Sequence, residues 1–108
     1  MTIHQSLTAG RWQTLSFAEQ MANVGSEVGR AGKWQGKDER LFLGAVARAL
    51  ELLDLTIADP RWQRRRTELE RARELMNDAV SGGIVYRTTF EDLERYFMPF
   101  AIAARSGR

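Results

Sequence analysis

ERLFLGAVARALELLDLTIADP, residues 39–60, is the stretch that decides the fold class. Its apolar residues recur at helical spacing and cover much of the circumference of an α-helix, which leaves only a narrower polar strip. Asp38 favours a helix start, because its carboxylate caps free backbone N–H groups. Asp59 and Pro60 start another helix, since proline at the first helical position loses no hydrogen bond. We therefore expect a helix over residues 39–58, the most apolar of the chain and central in the fold.

Helix signals on both sides of this stretch predict three more helices. Ser16 and Glu19 have the spacing of a capping box, and Gly82 and Gly83 stop a helix, because glycine readily adopts the left-handed backbone. The series TTFE, residues 88–91, predicts a second capping box. The predicted helices outside the first stretch span residues 17–34, 60–80 and 89–104.

The last of these helices contains a proline. Pro99 has no N–H to donate to the carbonyl of residue 95, so we expect the helix to be kinked or broken there. Residues 1–14 show no helical period and predict an arm that packs through the indole of Trp12, and residues 106–108 predict a frayed tail. Because short links reverse the direction of successive helices, residues 15–105 predict an all-α, antiparallel up-down four-helix bundle.

A row of small residues runs along the first helix. Each glycine inside a helix costs about 1 kcal/mol relative to alanine, so some packing advantage should offset it. We interpret the row as a close contact with another helix of the bundle, and a groove for a ligand or a second subunit is the alternative. The row consists of Ala18, Ala22, Gly25, Gly29 and Gly32.

The composition argues against several kinds of functional site. The chain has no cysteine, and its one histidine is His4, so we expect no metal and no cofactor. Glu51 and Asp54 share one helix face and could form an acid–base pair, but we interpret them as partners of ion pairs. No nucleophile motif and no phosphate-binding loop is present, which predicts a protein that is not an enzyme.

The chain also lacks the signals that direct proteins to membranes. It has no run of about 18 apolar residues and no basic and apolar blocks at its amino terminus. We therefore expect a cytoplasmic protein with no membrane contact. Its net charge of +2 is too small to predict a nucleic-acid partner by itself, so the distribution of charge decides.

One end of the predicted bundle collects arginines, because the start of the first helix, the start of the third and the end of the fourth meet there. Guanidinium groups bind phosphate through two parallel hydrogen bonds, so we predict that nucleic acid binds at this end. Ion pairs in solvent are the structural alternative, since Glu68 lies four residues after Arg64 and Glu70 lies four residues after Arg66, the spacing at which helix residues pair. We call this set the arginine pole: Arg11, Arg61, Arg64, Arg65, Arg66, Arg105 and Arg108, of which the first six are the predicted nucleic-acid-binding residues.

Three segments carry a resemblance to known proteins. LSFAEQMANVGSEVGRA (residues 15–31), ARALELLDLTIADP (47–60) and YFMPFAIAAR (96–105) resemble a group of small uncharacterised bacterial helical proteins. In length and helix order, the chain is more distantly similar to the four-helix-bundle family encoded in intervening sequences of ribosomal RNA genes. That family includes the accessory variability determinants of retroelements. The similarity implies a homo-oligomer that binds RNA or DNA and assists a nucleic-acid enzyme.

Two classes of function follow from the sequence. The first is a non-enzymatic scaffold that associates with nucleic acid through the arginine pole, and its affinity would fall steeply with salt. The second is a protein adaptor or antitoxin-like partner with no nucleic-acid contact, which would dock through the small-residue row or an apolar face of the fourth helix. Both are compatible with a homo-oligomer.

Overall fold

A computed structural model describes residues 10–106 of the chain, and every regular element within that range is helical. This confirms the predicted all-α class. A six-residue 3₁₀ helix connects the second α-helix to the third. The elements are α1 (Phe17–Trp34), α2 (Glu39–Ala58), the 3₁₀ helix (Pro60–Arg65), α3 (Arg66–Val80) and α4 (Phe90–Ser106).

The helix starts follow from local hydrogen bonds. Ser16 and Glu19 form the predicted capping box, and the Asp38 carboxylate accepts from the N–H of Leu41. The second capping box lies one residue later than predicted, because Thr89 pairs with Asp92. The preceding N–H, that of Thr88, donates to a buried aspartate instead.

Two of the predicted helices differ from the structure. The third does not run regularly over residues 60–80, since its first six residues are 3₁₀ and Trp62 has φ −110° and ψ 25°. Trp62 directs its indole N–H to a buried glutamine of α1, and a regular α-helix is interrupted at this residue. α4 begins one residue later than predicted and continues through Pro99 to Ser106, so the alternative of a break at Pro99 is wrong. Ser106 also belongs to α4 and not to a tail.

α1, and not the more apolar α2, is the central helix, because it makes extensive contacts with both α2 and α4. The small residues of α1 permit the second contact. A Cβ on Gly25 would lie 2.7 Å from the Cβ of Phe97, and one on Gly32 would lie 2.8 Å from a carboxylate oxygen of Glu94. The interpretation of the row as a close helix contact is confirmed for these two glycines.

The contacts also give the helix directions. The ring of Phe17 at the start of α1 contacts that of Phe100 near the end of α4, and a Cβ on Gly32 would meet Phe90 at the start of α4. α1 and α4 therefore run in opposite directions. Asp54 of α2 pairs with Arg73 of α3 in two hydrogen bonds, which confirms an ion-pair role for Asp54.

The end of the predicted arm belongs to the core. Trp12 is 5% exposed, and its indole N–H donates to the hydroxyl of Thr56 in α2 at 3.0 Å. The predicted packing of this indole is confirmed, although residues 10–12 are helical and not irregular. Residues 1–9 of the arm, and 107–108 of the tail, lie outside the described residues.

The described helices enclose a single core. The radius of gyration, 13.5 Å, is close to the value of about 13 Å expected for a folded domain of 100 residues. Between residues 10 and 106, no helix has both the length and the apolar character needed to cross a bilayer.

Candidate nucleic-acid interface

A buried polar network supports the segment that carries most of the predicted site residues. Gln20 of α1 is fully buried, and its amide nitrogen donates to the carbonyl of Trp12 at 2.8 Å and to the carboxylate of Asp59 at 3.1 Å. Its amide oxygen accepts from the indole N–H of Trp62 at 3.0 Å. Every polar atom of the Gln20 side chain therefore has a partner, as burial requires. The network fixes residues 60–66, which we call the arginine turn, against α1.

Arg61 belongs to this network and acts as a brace. Its guanidinium donates to both carboxylate oxygens of Asp59, at 3.1 Å and 2.7 Å, and to the carbonyl of Leu15 at 2.9 Å. These donated hydrogen bonds lower the pKa of Asp59 from 3.8 to about 2, although burial of the carboxyl opposes the shift. Arg61 also lies over the ring of Trp62, 4.5 Å from its centroid. Its hydrogen-bonding capacity is largely used within the fold.

The other arginines of the turn are exposed. Arg65 lies over the ring of Phe17 at 4.3 Å and meets Glu68 at 3.4 Å, and Arg66 donates to Glu70 at 2.9 Å. Arg64 is exposed and makes no ion pair with any residue between 10 and 106. Surface ion pairs contribute about 0 to 1 kcal/mol, so a bidentate phosphate can displace them. Of the predicted short-range pairs, Arg66 with Glu70 is confirmed, whereas Glu68 pairs with Arg65 instead of Arg64.

The helix ends meet as the sequence predicts. One shallow hollow is lined by Phe17 and Glu19 of α1, Arg65 of the arginine turn, and Phe100 and Ala104 of α4. Arg105 lies in the last turn of α4 and is exposed. Arg61, Arg64, Arg65, Arg66 and Arg105 thus share one end of the molecule.

The two remaining members of the arginine pole are Arg11 and Arg108. Arg11 lines a different groove, between α1 and α2, together with Glu27 and Arg48. Arg11 lies there because its neighbour Trp12 is buried, with the indole bonded to α2, which holds the backbone of this segment against α2. Arg108 lies outside the described residues.

The electrostatic character of this end is mixed. Asp59, Glu68 and Glu70 each bind one of its arginines, and Glu19 lines the same hollow. The cluster is therefore only weakly positive, and two of its guanidinium groups, those of Arg61 and Arg65, lie over aromatic rings. Such a surface suits a few phosphate contacts better than long-range attraction of a polyanion.

A second exposed feature has no counterpart in the sequence predictions. Ile84 is 80% exposed and Val85 72% exposed, and with Tyr86 they form what we call the apolar turn, residues 84–86. The buried carboxylate of Asp78 accepts from the N–H groups of Val85, Tyr86 and Thr88 at 2.9 to 3.1 Å. Burial raises the pKa of Asp78, but these hydrogen bonds lower it by more, so the net pKa lies below 3.8. An ionised carboxylate thus holds the turn in one conformation.

The described residues offer no arrangement for metal chemistry. Between residues 10 and 106, no three histidine or acidic side chains lie close enough together to hold a metal ion. His4 lies outside that range. No family model, curated protein or solved structure matches the chain.

Proposed function

We propose that this chain is an antiparallel up-down four-helix bundle that acts as a non-enzymatic scaffold and binds the phosphate backbone of nucleic acid through its arginine turn. The observation that carries the proposal is the exposure of Arg64, Arg65 and Arg66 on one short segment that a buried network holds in place. A fixed segment loses little conformational entropy when its side chains bind phosphate. Arg105 adds a fourth guanidinium at the same end.

The same geometry limits the expected affinity. Three arginines replace about three counterions, so the logarithm of the binding constant should fall with the logarithm of salt concentration at a slope of about −2 to −3. Between about 50 and 200 mM salt, this slope weakens binding roughly 40-fold. Phosphate contacts carry no sequence information, so RNA and DNA of unrelated sequence should bind with similar affinity.

The test is a fluorescence anisotropy titration of a labelled RNA stem-loop and a DNA duplex across a salt series. The test variant carries Glu in place of Arg64, Arg65 and Arg66, and leaves Arg61 intact because that residue braces Asp59. A matched control places Glu at Arg30, Arg40 and Arg48, which changes the net charge equally elsewhere. We expect the test variant to lose binding and the control to retain most of it. Equal losses in the two variants, or no binding by the natural chain at low salt, would overturn the proposal.

The apolar turn favours a second function, that of a protein adaptor. Exposed apolar side chains that lie together mark surfaces for protein interaction, and a backbone that is already fixed loses little entropy on binding. Arg71 lies over the ring of Tyr86 at 5.0 Å and supports the turn from α3.

A photo-crosslinking amino acid at residue 84, expressed in cells that make the protein, tests the adaptor function. The same amino acid at Leu41, an exposed leucine of α2, is the control. An adaptor that docks through the apolar turn should give a discrete heavier adduct from residue 84 alone. The same adducts from both residues, or none from residue 84, would exclude this docking surface.

A further inference from the structure

The outer face of α4 carries a stripe with an ordered sequence of charge. Met98 is 54% exposed and Ile102 is 51% exposed, four residues further along the helix. Glu91 and Arg105 lie seven residues before and after Met98, which is two helical turns and places both on its face. Within the same helix, Glu91 also lies 3.9 Å from Arg95, one turn closer to Met98. The outermost members of the stripe are therefore acidic at its start and basic at its end, on either side of an apolar centre.

This order is complementary to itself. When two copies of a helix pair in opposite directions about a two-fold axis, residues equally far before and after the axis face each other. An axis at Met98 places Glu91 of each copy opposite Arg105 of the other, so that two ion pairs flank the apolar centre. A parallel arrangement would instead place like charges together.

Neighbouring residues extend the apolar centre. Ile102 comes to lie near the level of Arg95 in the second copy, whose aliphatic stem can cover it while the guanidinium stays in water. On the other side of the stripe, Met98 and Ala101 line a hollow together with Ala22 and Gly29 of α1. A Cβ on Gly29 would meet nothing within 4 Å, so this hollow has room for a side chain of the second copy.

We propose that the protein forms a two-fold symmetric dimer in which α4 pairs in the opposite direction with α4 of a second copy, centred on Met98. The inference goes beyond the proposed function, because Glu91, Met98 and Ile102 lie outside the arginine turn and the apolar turn, and only Arg105 belongs to both proposed surfaces. A standard protein interface buries about 800 Å² per partner, and one helix face with part of a groove buries less. We therefore expect a weak dimer whose population rises with protein concentration.

Charge reversal tests the pairing by sedimentation equilibrium over a range of protein concentrations. Glu91→Arg and Arg105→Glu should each weaken the dimer about tenfold or more, because each places two like charges opposite each other. The double variant should restore the dimer, because both pairs re-form with their signs exchanged. A natural chain that stays monomeric at all concentrations would overturn the proposal, and so would a folded double variant that stays as weak as the single ones.

Disulfide cross-linking locates the axis. The chain contains no cysteine, so Met98→Cys introduces one thiol, which lies beside its copy in the proposed dimer. Leu41→Cys, on an equally exposed part of α2, is the matched control. Under mild oxidation, Met98→Cys should give a covalent dimer much faster than Leu41→Cys. Equal rates for both variants, or no cross-linking of Met98→Cys, would contradict an axis at Met98.

Discussion

Asp59 has two roles at the junction of α2 and the arginine turn. It accepts from the backbone N–H of Arg61 at 3.0 Å, as its predicted role in starting a helix requires. It also binds the guanidinium of Arg61 and the amide of Gln20, and it is only 3% exposed. The sequence indicated the first role, because a local pattern of aspartate and proline is sufficient. The second role depends on Gln20, whose polar side chain is buried only by the tertiary fold.

Replacement of Asp59 by Asn should lower stability in a pH-dependent way. The folded pKa of about 2 lies below the unfolded value of 3.8, so the ionised carboxylate stabilises the fold above about pH 4. Near neutral pH, we expect the free energy of unfolding of the natural chain to exceed that of Asp59→Asn by about 1 to 2 kcal/mol. This difference should shrink as the pH falls from about 4 towards 2. Urea unfolding of both proteins at several pH values measures it. A difference that is the same at about pH 6 and pH 2.5 would contradict the account.

The arginines show what a sequence can indicate about single residues. The order of the helices correctly placed Arg65 near the end of α4, and Arg61, Arg64 and Arg66 belong to the same short segment. It could not separate Arg61, which is engaged with Asp59 and Leu15, from the exposed Arg64. That separation depends on the hydrogen-bond partners that each guanidinium meets, which the tertiary fold sets.

At the scale of elements, the contact between α1 and α4 depends on two glycines. Helical spacing predicted the small-residue row but could not show which members face α4. Gly25 and Gly32 have α4 atoms within 3 Å of an added Cβ, and Gly29 has none within 4 Å. The rotation of α1 about its axis, which the whole core determines, makes this difference.

A pair of alanine substitutions tests the contact. Gly25→Ala should destabilise the protein by about 1 to 3 kcal/mol, because the new methyl group collides with the Cβ of Phe97 and the helices must separate. Gly29→Ala, the matched control, should be neutral or stabilise by about 0.5 to 1 kcal/mol through helix propensity alone. Urea unfolding at low protein concentration measures both. Equal effects of the two substitutions would show that the small residues do not set the helix distance.

The apolar turn was missed for a related reason. Gly82 and Gly83, with φ values of 93° and 73°, were correctly predicted to end α3. The loop that follows has no strong pattern, and its order comes from Asp78, which lies inside α3 and looks like a surface residue in the sequence. The sequence therefore indicated where the loop is, but not that a buried carboxylate fixes it.

At the scale of the whole molecule, helical periodicity and caps were sufficient to predict the all-helical class and the bounds of α1 and α2. Arg65 of the arginine turn lies beside the end of α4, as the predicted collection of arginines requires, whereas Arg11 lines a groove between α1 and α2. The net charge of that end could not be predicted, since it depends on which carboxylates pair with the arginines. The scaffold, adaptor and dimer proposals concern the arginine turn, the apolar turn and the outer face of α4, and the first and third of these surfaces share Arg105.

The central claim is that nucleic acid binds at the arginine turn, and NMR mapping tests it most directly. A short RNA stem-loop would be titrated into the isotope-labelled protein at low salt, and the backbone amide and arginine side-chain signals followed. The account predicts that the shifted signals belong to residues 60–66 and Arg105, while residues 84–86 and Glu91, Met98 and Ile102 of α4 stay unchanged. Absence of shifts at the arginine turn, or shifts spread evenly over all exposed arginines, would contradict it.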